Sequence, residues 1–293
     1  MDRDTYNKAY KNIRKVLGNK FCMKYEEIEN DLEQIMKKEY INEEEYKGVK
    51  ELAQIYSLRW GTLFYAFDLY KKDEKDILKC KLVYRSLLSS IVSDIIAIIN
   101  LSENGLEFQV NIIMRNMYEL CFLFLALIVD KDMCLKYFET KNNNHEYKVW
   151  SKNLRIKNIN RILYEYEKNS KIEISSKVRR LRKLSYHEYS RYVHNSFDKC
   201  FENSYSQENE SKNFYWDLWG RNNINIKRDL KNLNILMWIV NHYFESILSD
   251  DKILDKNIFF NKENTEAWIE TINIALLTNE LFIENYKNSF LIN

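Results

Sequence analysis

The chain has 293 residues, a net charge of +2 and a hydrophobic share of 45%, enough for a sizeable core in one large domain or a core with an appendage. It has no proline and five glycines, against roughly 15 and roughly 20 for ordinary usage. That excludes a β-sandwich or barrel built on regular turns and predicts long, unbroken helices. Cysteines 22, 80, 121, 134 and 200 show no C-x-x-C spacing, so they read as buried thiols in a reducing compartment rather than as a disulfide framework.

Apolar residues recurring at three-to-four spacing predict helices over 4–17, 24–40, 43–72, 74–102, 106–129, 131–142, 146–169, 176–196, 226–250 and 264–288. The highly charged first 40 residues read as a separate helical hairpin or arm. Asn42-Glu43-Glu44-Glu45 is a capping box, with a side-chain acceptor for free amides and a carboxylate three residues later. Ser86, Ser89, Ser90, Ser93 and Ala97 form a stripe of small residues, expected where two helices approach closely. Asn104-Gly105 marks the end of that helix, and Asp130 begins another.

The apolar run Met117–Val129 is about 13 residues, short of the ~20 needed to span a membrane, and reads as buried core. With no apolar signal region at the amino terminus, the chain is expected to be soluble and cytoplasmic, with no membrane partner. The Ser/Asn/Glu-rich stretch 198–213 reads as the one long loop, with Trp216 and Trp219 beside Tyr215 either covering the core beneath it or stacking on bases.

Charge is unevenly placed. Residues 141–195 hold 14 Lys/Arg against 5 Asp/Glu, so a segment of +9 rides on a body of −7. This is either a footprint for a polyanion or a solvated lysine-rich face.

Within that segment runs Arg180-L-R-K-L-S-Y-His187-E-Y-S-R-Y-V-His194. At ~100° per residue, His187, Ser190, Arg191 and His194 share one helix face. Val178, Leu181, Ser185, Tyr189 and Tyr192 form the opposite, packing face. Imidazole, hydroxyl and guanidinium in a row suit a phosphate. A second charged feature is Arg115 with Glu119, at i, i+4 inside a helix otherwise apolar enough to be core. Buried charges cost several kcal/mol each unless paired, so this pair is structural glue or part of a site that presents a rigid guanidinium to an anion.

Other chemistry is poorly served. His187 and His194 are seven residues apart, not the three or four of a helical metal site, and no glycine-rich phosphate loop or G-x-S-x-G elbow is present. No metal and no cofactor are expected. His145 reads as a loop residue and His242 as a satisfied core histidine.

Arg115-x-x-x-Glu119 on an apolar helix, followed by Tyr186-x-x-x-Ser190-x-x-Val193-His194, resembles an uncharacterised all-helical bacterial family with R-x-x-x-E and S-x-x-V-H signatures, allied to the HEPN (higher eukaryotes and prokaryotes nucleotide-binding) superfamily. The resemblance covers roughly residues 75–250. Many HEPN proteins are metal-independent endoribonucleases of defence and toxin systems, working as dimers with a composite site. Their motif is Arg, four to six residues, then His. Arg182 to His187 fits with four intervening residues and Arg180 to His187 with six. Lys183 follows Arg182 where active members usually carry a small polar residue.

The resemblance implies His194 or His187 as the base, with Arg182, Arg191 or Arg115 at the phosphate. Arg180, Glu119 and Ser190 complete the site, Ser190 orienting the imidazole.

The expected fold is all-α: a bundle of long antiparallel helices, with a HEPN-like core over 43–250, an arm over 1–40 and a carboxy-terminal helix within 251–293 packing on the core. The expected function is RNA-directed, as a metal-independent endoribonuclease or RNA binder of a bacterial defence or toxin system. The alternative is a non-catalytic module that binds a nucleotide or a protein. The strongly apolar helices 83–100 and 106–129 point to a homodimer, and the defence setting to an antitoxin or similar partner.

Overall fold

Without proline to break them, the apolar patterns become long helices. The structure, a computed structural model, describes residues 3–17, 26, 30, 43–69, 73–140, 154–169, 176–194, 205–207, 214–216, 226–250 and 265–286. Nine bounded helices and one short hairpin lie among them. The fold is all-α.

Two compact units divide the chain, Met1–Ile41 and Asn42–Asn293. The first contains α1 (Arg3–Leu17), with Asp4 in its first turn and Arg14 and Lys15 in its last, charges that favour the helix dipole. Arg3 pairs with Glu26. The predicted helix 24–40 falls almost wholly outside the described residues.

In the second unit the helices are α2 (Glu43–Ala66), α3 (Lys75–Glu103), α4 (Glu107–Val129), α5 (Lys131–Glu139), α6 (Ile156–Asn169), α7 (Ser176–Val193), α8 (Ile226–Leu248) and α9 (Thr265–Tyr286). α4 is central, packing against α3, α5, α6, α7 and α8; α2 joins α3, α8 and α9. Residues 121–128 of α4 are buried without exception, which is why their sequence is apolar all round. Trp60, Phe67, Tyr84, Phe124, Phe244 and Trp268 bring α2, α3, α4, α8 and α9 to one aromatic cluster, with Trp60–Phe124 5.6 Å and Tyr84–Phe124 5.9 Å between ring centres. Each such ring removed from water contributes about 1.5–3 kcal/mol.

The predicted helix boundaries inside this unit have identifiable causes. Gly105 has φ 69°, and Leu106 N–H bonds back to Leu101 C=O at 3.0 Å, closing α3 through a left-handed residue. Asp130 then caps α5, its side chain accepting from Met133 N–H at 2.9 Å. The helix expected to run to 72 stops at Ala66. The capping box at 42–45 lies outside the described side chains.

Several expectations change. The serine stripe of α3 does not mark a close approach: Ser86, Ser89, Ser90 and Ser93 are exposed, because the helix buries its Leu87, Leu88, Ile91, Ile95, Ile98 face instead. The predicted loop 198–213 carries a short strand, β1 (Tyr205–Gln207), paired antiparallel with β2 (Phe214–Trp216) just beyond it, Ser206 opposite Tyr215. Part of the apolar surface of α3 and α4 is taken up within the bundle, and Leu82, Ile96 and Ile112 are their exposed large apolar side chains. Both helices are long and apolar enough to cross a membrane by length and composition, and about half of each window is buried in the bundle (44% and 56%). Cys80, Cys121 and Cys134 are buried free thiols; Cys22, Cys200, His145 and Trp219 lie outside the described residues, as do the side chains of Tyr215 and Trp216.

Candidate functional site

α4 and α7 lie side by side, and their seam collects the residues singled out from the sequence. Arg115 of α4 donates from Nε to Ser190 Oγ of α7 at 3.0 Å. Its Nη1 lies 2.8 Å from Glu119 Oε1, and its guanidinium sits 3.8 Å over the ring of Tyr186. Ser190 Oγ in turn donates to Tyr186 C=O at 2.7 Å, so the hydroxyl proton points inward and its lone pair faces the arginine. Nη1, buried beside that carboxylate, makes no hydrogen bond among the described residues. A guanidinium fixed on one edge and open on another is suited to an oxyanion.

The Arg115–Glu119 pair is not sealed in the core as its apolar surroundings predict. Glu119 is 41% exposed and Arg115 12%, because this edge of α4 is turned to the seam while the next two turns enter the core. Solvent therefore reaches the pair and lowers its burial cost.

α7 has two faces, as its periodicity predicts. Tyr189 and Tyr192 are buried, and burial pushes the Tyr189 phenol pKa up. His187 and His194 are exposed, one turn before and one turn after Ser190, about 4.5 and 6 Å along the helix axis. Val178, Leu181 and Ser185 lie outside the described side chains.

The arginines of this helix part company. Arg182 turns inward, donating from Nη1 to Glu167 Oε1 of α6 at 3.2 Å and to Tyr243 Oη of α8 at 3.0 Å; Tyr243 Oη also donates to Glu167 Oε1. Tyr118 of α4 donates to the Arg182 C=O at 3.0 Å. Arg180 is exposed and, seven residues before His187, falls within ~20° of it around the helix, whereas Arg182 falls ~140° away. Arg191 pairs with Glu188 at 3.1 Å near the surface. The seam thus brings Arg115, Glu119 and Ser190 together, places Arg180, His187 and His194 on the exposed face of the same helix, and commits Arg182 to the interior.

Sequence reasoning missed the fully buried charges. Glu167 is one. Lys81 is another, with no exposure and paired to Asp73 at 2.8 Å, and Arg59 of α2 is 2% exposed. Asp229, in the first turn of α8, is 3% exposed, and burial followed by the Glu107 charge pushes its pKa up to about 8. His242 is corrected as well. It is an exposed side chain stacked on Trp238, with ring centres 5.8 Å apart, because its position on α8 lies at the rim of a cleft rather than in the core.

Among the described residues no group of three or more His, Cys, Asp or Glu is placed to hold a metal ion. Comparison of the chain with protein-family models, with curated proteins and with solved structures finds no match.

Proposed function

We propose that the protein acts on RNA as a metal-independent endoribonuclease of a bacterial defence or toxin system, working in the cytoplasm as a homodimer with an antitoxin or similar partner. The observation that supports this reading is Arg115 bound to Ser190 at 3.0 Å, on a helix that carries a solvent-facing histidine one turn to either side. A phosphodiester placed against the Arg115 guanidinium would have its charge held by a fixed cation. Arg180 on the exposed face is a second holder.

Neutral His194 or His187 takes the proton of the ribose 2′-hydroxyl, and the 2′-oxygen attacks phosphorus. The bond to the 5′-oxygen breaks, that oxygen takes up a proton, and the products are a 2′,3′-cyclic phosphate and a 5′-hydroxyl end. The scheme needs no metal and no cofactor.

One observation favours a second reading, a non-catalytic module that binds a nucleotide or protein through Arg115, Glu119 and His194. Arg182, the arginine of the shorter R-to-H spacing, is tied down by Glu167 and Tyr243. Incubating the purified protein with total bacterial RNA and tRNA in EDTA, beside a His187→Ala/His194→Ala double variant, separates the two. Cleavage by the parent protein alone, leaving cyclic phosphate ends, is expected; no cleavage by either protein removes the nuclease and leaves the binding module.

A further inference from the structure

The basic stretch 141–195 contains α6, whose two faces are sharply different. Ile159, Leu163 and Tyr166 face the core. Opposite them Lys157, Arg161, Tyr164 and Lys168 are exposed. At ~100° and ~1.5 Å per residue these four fall within a ~60° arc, in successive steps of ~6, 4.5 and 6 Å along the axis. Tyr164 is 56% exposed, whereas Tyr166 is 4% exposed. Arg155, just before the helix, is exposed as well.

Elsewhere in the chain, surface cations pair with carboxylates about one turn away, as in Lys47–Glu51, Lys79–Asp76 and Arg191–Glu188. On α6 they do not. Glu165 stands one turn after Arg161 and three residues before Lys168, yet Lys157, Arg161 and Lys168 make no ion pair among the described residues. The other carboxylate of the helix, Glu167, is turned inward to Arg182 and Tyr243. The outer face therefore carries three cations and a single carboxylate around an exposed phenol ring. The Arg182–Glu167 bond at 3.2 Å also brings α6 within two side-chain lengths of α7, where Arg180, Lys183 and His187 are exposed.

Charge calls for an anionic partner, and the phenol ring selects among anions. A bilayer surface needs an apolar strip beside the cations, and α6 has its apolar strip in the core. A nucleic-acid strand offers phosphates to the cations and a flat base to the tyrosine. Duplex bases are already stacked on one another, so the ring meets a base face only in a single strand. We infer that the outer face of α6 binds single-stranded RNA, with Lys157, Arg161 and Lys168 at backbone phosphates and Tyr164 stacked on a base between them. The ~16 Å track covers about five nucleotides at the ~3.4 Å rise of a stacked strand. It rests on the RNA reading above and extends it: α6 holds the strand, and the α4–α7 seam acts on it.

Fluorescence anisotropy on the full chain in EDTA tests it, with a labelled 2′-O-methyl oligoadenylate that lacks the attacking hydroxyl and cannot be cleaved. Binding is expected, with a duplex of the same length at least roughly tenfold weaker and a deoxy strand no tighter. Lys157→Gln/Arg161→Gln/Lys168→Gln should flatten the slope of log affinity against log salt by about 2, since each phosphate contact contributes ~0.7. Tyr164→Ala should weaken binding about tenfold at unchanged salt slope, and Tyr164→Phe should restore it. All four side chains are exposed, so the variants should fold, which circular dichroism checks. The His187→Ala/His194→Ala variant should bind as the parent protein does. Binding by the parent protein without cleavage of unmodified RNA keeps the α6 track and removes the nuclease. No binding, a duplex bound as tightly as the single strand, a deoxy strand bound more tightly, or undiminished binding in the triple variant or in Tyr164→Ala overturns the inference.

Discussion

Replacing Asp229 by Asn should make the protein more stable at alkaline pH and leave it unchanged in acid. Asp229 lies in the first turn of α8, 3% exposed, with the Glu107 carboxylate near enough to disfavour its ionisation; Arg228 and a hydrogen bond from Asn111 work the other way. Burial and Glu107 prevail, and the carboxyl keeps its proton to about pH 8 where an ordinary aspartate releases it near 3.8. Between those values the folded chain binds more protons than the unfolded one, so stability falls as pH rises through that window. Each pH unit of the gap corresponds to ~1.4 kcal/mol, which sets a ceiling of about 6 kcal/mol.

Half of that ceiling would still move the midpoint by roughly 6–12 °C in a protein of this size. Asparagine keeps the shape, carries no charge at any pH and so escapes the loss. Thermal melts of both proteins from pH 4 to pH 9 should coincide at the acid end and separate steadily above it, the variant melting higher. A difference in midpoint that stays constant across the range, or a parent protein that gains on the variant with rising pH, would refute the argument.

The division of the α7 arginines makes a paired prediction. Arg182→Ala takes the guanidinium from buried Glu167 and should lower stability by about 3–5 kcal/mol in urea unfolding, whereas exposed Arg180→Ala should stay within about 0.5 kcal/mol and lower RNA cleavage or binding instead. Loss of activity at unchanged stability in Arg182→Ala would put that side chain in the site after all. The RNA incubation with the double histidine variant should show cleavage by the parent protein only. Sedimentation velocity at tens of micromolar should give a dimer mass, and a monomer mass at that concentration removes the dimer.

Elements whose cause is local were legible in the sequence. The end of α3 at Asn104-Gly105 follows from a left-handed glycine, and the start of α5 from a carboxylate facing a free amide three residues on. The two faces of α7 follow from periodicity alone, and so does the Arg115–Glu119 contact at i, i+4. What two distant helices decide together left no such trace. Nothing near Arg59 or Glu167 in the sequence announces a buried charge, since Thr271 and Tyr243, which bond them, lie on helices distant in the chain. The β1–β2 hairpin joins a three-residue segment of the stretch that reads only as loop to the aromatic segment just beyond it. His242 sits in an apolar run, yet its place at the rim of the α8–α9 cleft keeps it exposed.

The arginine-to-histidine spacing shows how rotational phase could have been used more fully. A motif of four to six intervening residues treats Arg182 and Arg180 as equals before His187. On a helix they are not equal: five residues turn the chain by ~500°, putting Arg182 ~140° from the histidine, and seven residues bring Arg180 back to within ~20°. The structure follows that phase, with Arg182 bonded to Glu167 and Tyr243 and Arg180 exposed. A phosphate approaching His187 from solvent therefore meets Arg180 on the same face. Arg182 acts through the protein interior, by holding α6, α7 and α8 in register behind the seam. Any chemistry at this surface then depends on Arg180, Arg115 and the histidines directly, and on Arg182 only through the stability of the scaffold that positions them.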